Sequence, residues 1–97
     1  MVSRINADPA LTRVDQLAAA TGLSVRRLQR LFAEFVGVGP KWVIRRARLH
    51  EAAQRADRGD GAAWAAVAAD LGYADQAHLT REFTAMIGIP PARYAHA

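Results

Sequence analysis

Gly72-Tyr73-Ala74-Asp75-Gln76-Ala77-His78-Leu79-Thr80-Arg81-Glu82-Phe83 reads as a glycine turn that feeds a capped helix. Asp75 is an N-cap residue by type, because its carboxylate can accept from the unsatisfied backbone donors of the first turn. Leu79, Phe83, Met86 and Ile87 then recur at helical spacing, and Gly88 supplies a stop. The same grammar stands about fifty residues earlier. Val14, Leu17, Ala18 and Gly22 return as Trp64, Val67, Ala68 and Gly72 at an offset of fifty. Ala74 is one extra residue, so Ser24, Leu28, Arg30, Phe32, Gly37, Val38 and Pro40 return as Asp75, Leu79, Arg81, Phe83, Gly88, Ile89 and Pro91 at fifty-one. Each copy has a short helix carrying a small residue, a glycine turn, a capped second helix and a glycine stop. The alanine permits a close helix crossing and the glycine bends the chain, which is the order of a helix-turn-helix unit. A scaffold of stacked helical hairpins would also repeat, but two copies are few for a stable solenoid.

Working outward from the repeat, the remaining chain divides into helix-length pieces. Val2 to Asn6 forms a short first helix ended by Asp8-Pro9. Thr12 is placed as the cap of the second helix, with Asp15 three residues on. Ser24 caps the third, from Val25 to Val36, with Leu28, Leu31, Phe32 and Phe35 on its inner face and Gly37 as its left-handed stop. Pro40 suits the first turn of a connecting helix from Lys41 to about Asp57. Arg58-Gly59-Asp60-Gly61 breaks the chain, a fifth helix follows from Ala63 to Leu71, and Pro90-Pro91 opens a final short element through Tyr94. No stretch alternates with period two, so the expected class is all-α. Residues 1–97 make one domain: a first helix-turn-helix over 1–39, a linker helix over 40–58 and a second helix-turn-helix over 62–97.

With the inner faces assigned, the outward residues follow from helical geometry. The first recognition helix, about 25–36, presents Arg26, Arg27, Gln29 and Arg30. Arg26, Gln29 and Arg30 share one side at three- and four-residue spacing. An arginine fork matches guanine O6 and N7, and a glutamine amide matches adenine N6 and N7. Three arginines in five residues repel one another, which calls for an anion to neutralise them, although a solvated basic face has the same composition. The second recognition helix, about 76–87, presents Gln76, Ala77, His78, Thr80 and Arg81. Gln76 and Arg81 can read bases, Thr80 can meet a thymine methyl or a phosphate, and Ala77 offers only a small apolar contact. By residue chemistry Arg26, Gln29, Arg30, Gln76 and Arg81 are the candidate base readers, with Thr80 open between thymine methyl and phosphate. Phosphate contacts are expected from Ser24, Arg27, Arg45, Arg46 and His78, with a solvated neutral histidine as the equal alternative for the last. Of Arg45, Arg46, Arg48 and Arg55 on the linker, at least one is expected to be structural, paired with Glu51, Asp57 or another acid. A helix of about seventeen residues is roughly 25 Å long, which suits two recognition helices near one DNA turn, about 34 Å, apart.

Composition agrees without deciding. The chain has 97 residues, a net charge of +4, and Lys41 as its sole lysine among thirteen basic residues. Arginine suits phosphate and guanine, and GC-rich codons would favour arginine and alanine equally. No run of eighteen apolar residues exists, there is no apolar core of a signal peptide, and there is no cysteine. The expected compartment is the cytoplasm, at the nucleoid. No catalytic, metal or cofactor site is expected. Ser3 and Ser24 sit in no nucleophile motif, and His50, His78 and His96 lack metal-ligand spacing. The competing function is a helical protein–protein interaction module, which would put an apolar stripe on the second helices, where the sequence has arginine and glutamine. RNA binding would favour exposed aromatics, while Phe32, Phe35, Phe83, Trp64 and Tyr73 are expected in the core.

The opening stretch, its continuation Met86-Ile87-Gly88-Ile89-Pro90-Pro91-Ala92-Arg93-Tyr94, the upstream Leu23-Ser24-Val25-Arg26-Arg27-Leu28-Gln29-Arg30-Leu31-Phe32 and the pair Arg48-Leu49 together resemble the AraC/XylS family of bacterial transcription regulators. The resemblance runs from about Val14 to Tyr94. It implies a seven-helix fold of two homeodomain-like units, double-stranded DNA as partner, and base contacts from Arg26, Gln29 and Arg30 in the first unit and from Gln76, Ala77, Thr80 and Arg81 in the second. It leans toward activation, with RNA polymerase among the expected partners. Arg13 departs from the serine or threonine that often caps the family's second helix, and Ala77 is shorter than the polar residue some members use. Most relatives carry an effector or oligomerisation domain, so the chain is expected to be the DNA-reading part of a larger effector-responsive protein.

Overall fold

A computed structural model describes residues 2–57 and 64–88. Among them stand six helices in the order α1 (Val2–Ala7), α2 (Val14–Thr21), α3 (Val25–Phe35), α4 (Pro40–Asp57), α5 (Trp64–Asp70) and α6 (Gln76–Ile87). No strand occurs among the described residues, and the class is all-α. The expected break at 58–61, the start of the fifth helix at Ala63 and the final element at 90–94 lie outside them. No helix among the described residues is long and apolar enough to cross a membrane.

The chain divides into two compact units, Met1–Ala47 and Arg48–Ala97. In the first, Ile5, Leu11, Leu17, Leu28, Phe32, Val43 and Ile44 form the core, with Val14, Ala18, Leu23 and Ala47 packed partly buried against it. In the second, Leu49, Ala52, Ala53, Ala56, Trp64, Val67, Ala68, Leu71, Tyr73, Leu79 and Phe83 do the same, joined by Met86 and Ile87. The repeated positions Leu17/Val67, Leu28/Leu79 and Phe32/Phe83 are all buried. The alanines of α4 let neighbouring elements approach its second half closely, since Ala52 and Ala56 are almost fully enclosed. Trp64 meets Phe83 edge-on, with ring centroids 5.8 Å apart.

Both helix-turn-helix corners rest on a left-handed glycine. Gly22 has φ 73° and its N–H donates to Ala18 O at 2.9 Å. Gly72 has φ 82°, and Tyr73 N donates to Ala68 O at 2.9 Å while Gly72 N donates to Ala69 O at 3.2 Å. Paired returns of this kind satisfy the carbonyls left over at a helix end. Each second helix then starts on a side-chain cap: Ser24 Oγ accepts from Arg27 N at 3.1 Å, and Asp75 Oδ1 from His78 N at 2.7 Å.

Three expectations need correction. The cap of α2 is Arg13, not Thr12. A guanidinium cannot accept a hydrogen bond, so Gln16 reaches back from inside the helix. Its Oε1 accepts from Thr12 N at 2.7 Å and from Arg13 N at 3.0 Å, which ties the incoming chain to the first turn. Asp15, in the second helical position, takes the Arg13 guanidinium at 3.1 Å. That hydrogen bond and charge hold its carboxyl below the usual value. Next, α3 ends at Phe35, with Val36 as its cap. Val36 N and Gly37 N both donate to Phe32 O, at 2.9 and 2.8 Å, and Gly37 turns at φ 91°.

The third correction concerns Phe35, which is 76% exposed rather than in the core. It lies seven residues from Leu28, within about 20° of the same line along the helix, so its direction is the expected one. It belongs to the last turn of α3, directly before the cap Val36, which is itself exposed. Leu31, also expected on the inner face, is half-buried.

Candidate nucleic-acid interface

The inner line of α3 is apolar and its outer line basic, so burial of Leu28 and Phe32 turns Arg26, Arg27, Gln29 and Arg30 outward together. All four are exposed, and none makes a side-chain hydrogen bond or ion pair with another described residue. A concentration of positive charge with no partner among the described residues is suited to an external anion. Ser24 is exposed at the foot of the helix, its hydroxyl oxygen already accepting from Arg27 N.

The outer line of α6 is less charged. Gln76, Ala77 and Arg81 are exposed, and they too have no side-chain hydrogen bond to a described residue. Thr80 is half-buried and its hydroxyl is engaged on both sides: it donates to Gln76 O at 2.9 Å and accepts from Trp64 Nε1 at 3.4 Å. His78 is half-buried as well. Its ring stands edge-on to Tyr73, with centroids 5.1 Å apart, and Nε2 lies 3.8 Å from Glu82 Oε1. The imidazole is thus held within its own unit rather than standing free beside Gln76 and Arg81.

The arginines of α4 divide by role. Arg55 donates to Glu51 Oε1 and to Asp70 Oδ2, each at 3.1 Å, bridging α4 to the end of α5. Partial burial works against its charge, and the two carboxylates outweigh that and raise its pKa. It is the structural arginine that the count of acids called for, although its second partner is Asp70. Arg48 lies 4.8 Å over the Tyr73 ring, a cation–π contact beside the α5–α6 turn. Arg45 is half-buried in the first unit, whereas Arg46 is exposed with its guanidinium 5.8 Å from the Trp42 ring centre. The Arg46–Trp42 contact joins residues one turn apart on α4, a spacing that helical periodicity allows, whereas the Arg48–Tyr73 contact joins α4 to the turn after α5 and has no periodicity behind it. Nor did periodicity foretell the Trp64–Thr80 hydrogen bond, which joins residues sixteen apart on different helices.

The first unit therefore carries a face of Arg26, Arg27, Gln29 and Arg30 on a helix whose start is fixed by a glycine turn and a serine cap. The second carries a matching but sparser face of Gln76, Ala77, Thr80 and Arg81, fixed by a glycine turn and an aspartate cap. Such faces hold hydrogen-bond donors rigidly on a helix narrow enough for the DNA major groove. No curated protein matched the chain. A family model described as a helix-turn-helix domain matches residues 17–97, which spans both turns and both outward faces. The chain belongs to this AraC-type helix-turn-helix family of DNA-binding transcription regulators.

Proposed function

We propose that the chain binds double-stranded DNA at a specific sequence, with α3 and α6 reading successive major-groove segments of one duplex. The observation that supports this most is the outward set Arg26, Gln29 and Arg30, exposed on a capped helix and without side-chain partners among the described residues. In this reading Arg26, Gln29, Arg30, Gln76, Ala77, Thr80 and Arg81 meet base edges, and Ser24, Arg27, Arg45, Arg46 and His78 meet phosphates. The continuous α4 of eighteen residues, about 27 Å long, joins the two readers. The functional segments are 1–39, 40–58 and 62–97. Activation of transcription in the cytoplasm, with RNA polymerase as protein partner, is the finer role favoured by the family. Selection from a random duplex library tests the reading. Enrichment of two short conserved blocks about one helical turn apart is expected, and recovery of no motif would contradict it.

A protein-docking role has one observation in its favour. Phe35, Val36, Val38 and Trp42 are exposed within eight residues of chain around the α3–α4 turn. Phe35 lies five residues, or about 140°, around the helix from Arg30. Docking there would therefore leave the arginine face open to DNA, and Phe35→Ser is expected to leave DNA affinity unchanged.

A further inference from the structure

Thr80 stands on the outward side of α6, yet its hydroxyl has no proton to offer DNA. A threonine hydroxyl carries one proton and two lone pairs. The proton goes to Gln76 O at 2.9 Å, one turn back in the same helix, and a lone pair takes the indole N–H of Trp64 at 3.4 Å. Phosphate oxygens are acceptors only, so they require a donor that this hydroxyl has already committed. With the oxygen held toward its own helix and toward α5, the remaining substituent on Cβ is the methyl. Trp64 is itself buried and fixed by its edge-on contact with Phe83, so it is a rigid holder.

We propose that Trp64 is a positioning residue for DNA recognition. By holding the Thr80 hydroxyl it makes α6 present a methyl group, and the chemistry that fits a methyl in the major groove is the C5-methyl of thymine. The inference rests on the proposed placement of α6 in that groove. It separates the two roles open to Thr80 at the level of sequence, thymine contact and phosphate contact, in favour of the first.

The test uses the intact chain and the duplex recovered by selection, with each thymine replaced in turn by deoxyuridine, which removes only the 5-methyl. One replacement is expected to weaken binding about three- to fivefold, the worth of one buried methyl. Thr80→Ser is expected to abolish the effect at that position alone. Trp64→Phe, which keeps an aromatic ring but loses the N–H, is expected to bring the thymine/uracil ratio toward one. Trp64→Phe combined with Thr80→Val is expected to restore it, because valine carries a methyl and needs no hydrogen-bond partner. A ratio unchanged in Thr80→Ser, or unchanged in a folded Trp64→Phe chain, would overturn the proposal. If Trp64→Phe does not fold, Thr80→Ser decides. Failure of the intact chain to select any duplex would instead overturn the DNA-reading function on which the proposal rests.

Discussion

Arg30 and Arg81 occupy equivalent places on α3 and α6, exposed and without a side-chain partner among the described residues, where a bidentate donor fork can reach a base edge. Arg30→Ala and Arg81→Ala are each expected to cost about 1–3 kcal/mol on the preferred duplex and to relax selectivity at one position. Titration against a panel of single-base variants measures both effects. Arg46 has a different setting: it lies over Trp42 on α4 rather than on a recognition helix. As a phosphate contact, Arg46→Ala should weaken binding to all sequences alike and flatten the salt dependence by about one charge. Arg55 serves the fold. Its bridges to Glu51 and Asp70 are partly screened by water, so Arg55→Met is expected to lower stability by only about 1 kcal/mol. Chemical denaturation would show that loss, and DNA affinity below the unfolding range should be unaltered.

At the scale of the helix, position along the axis matters as much as direction. Phe83 is completely buried on α6 and Phe35 is largely exposed on α3, although both lie on inner lines. Phe83→Ala is therefore expected to cost about 3–5 kcal/mol and Phe35→Ala less than about 0.5 kcal/mol, as read from denaturant midpoints. Ser24→Ala should cost about 1 kcal/mol, through loss of the bond from Arg27 N at the head of α3. The contrast between the two phenylalanines also marks what sequence could convey. Spacing gives the angle of a side chain around its helix, and so Leu28, Phe32, Leu79 and Phe83 were legible as core. It does not say whether anything packs over the last turn of α3, where Phe35 is exposed. The cap of α2 differs from the expected Thr12 for a local reason: Gln16 Oε1, three and four residues on, accepts from both Arg13 N and Thr12 N at the helix start. The glycine turns were legible because few other residues adopt their positive φ. The Trp64–Thr80 bond and the Arg55–Asp70 bridge were not, since both depend on which helices come to lie together.

For the molecule as a whole, the repeat is structural as well as textual. Each unit has its own core, its own glycine corner and its own capped outward helix, and the two share one continuous helix, α4. The repeat is unequal in chemistry. The first copy concentrates three arginines on its second helix, and the second copy offers one arginine with glutamine, threonine and a short alanine. The first reader should thus contribute more of the affinity, and the second should contribute selectivity through shape and methyl contact. The central claim is sequence-specific duplex binding by this arginine-bearing surface. It is tested most directly by titrating the intact chain against its selected duplex and a scrambled duplex of the same composition at two salt concentrations. The selected duplex is expected to be preferred at both concentrations, and affinity for both duplexes to fall steeply as salt rises. Equal affinity for the two duplexes, or an affinity indifferent to salt, would contradict that claim.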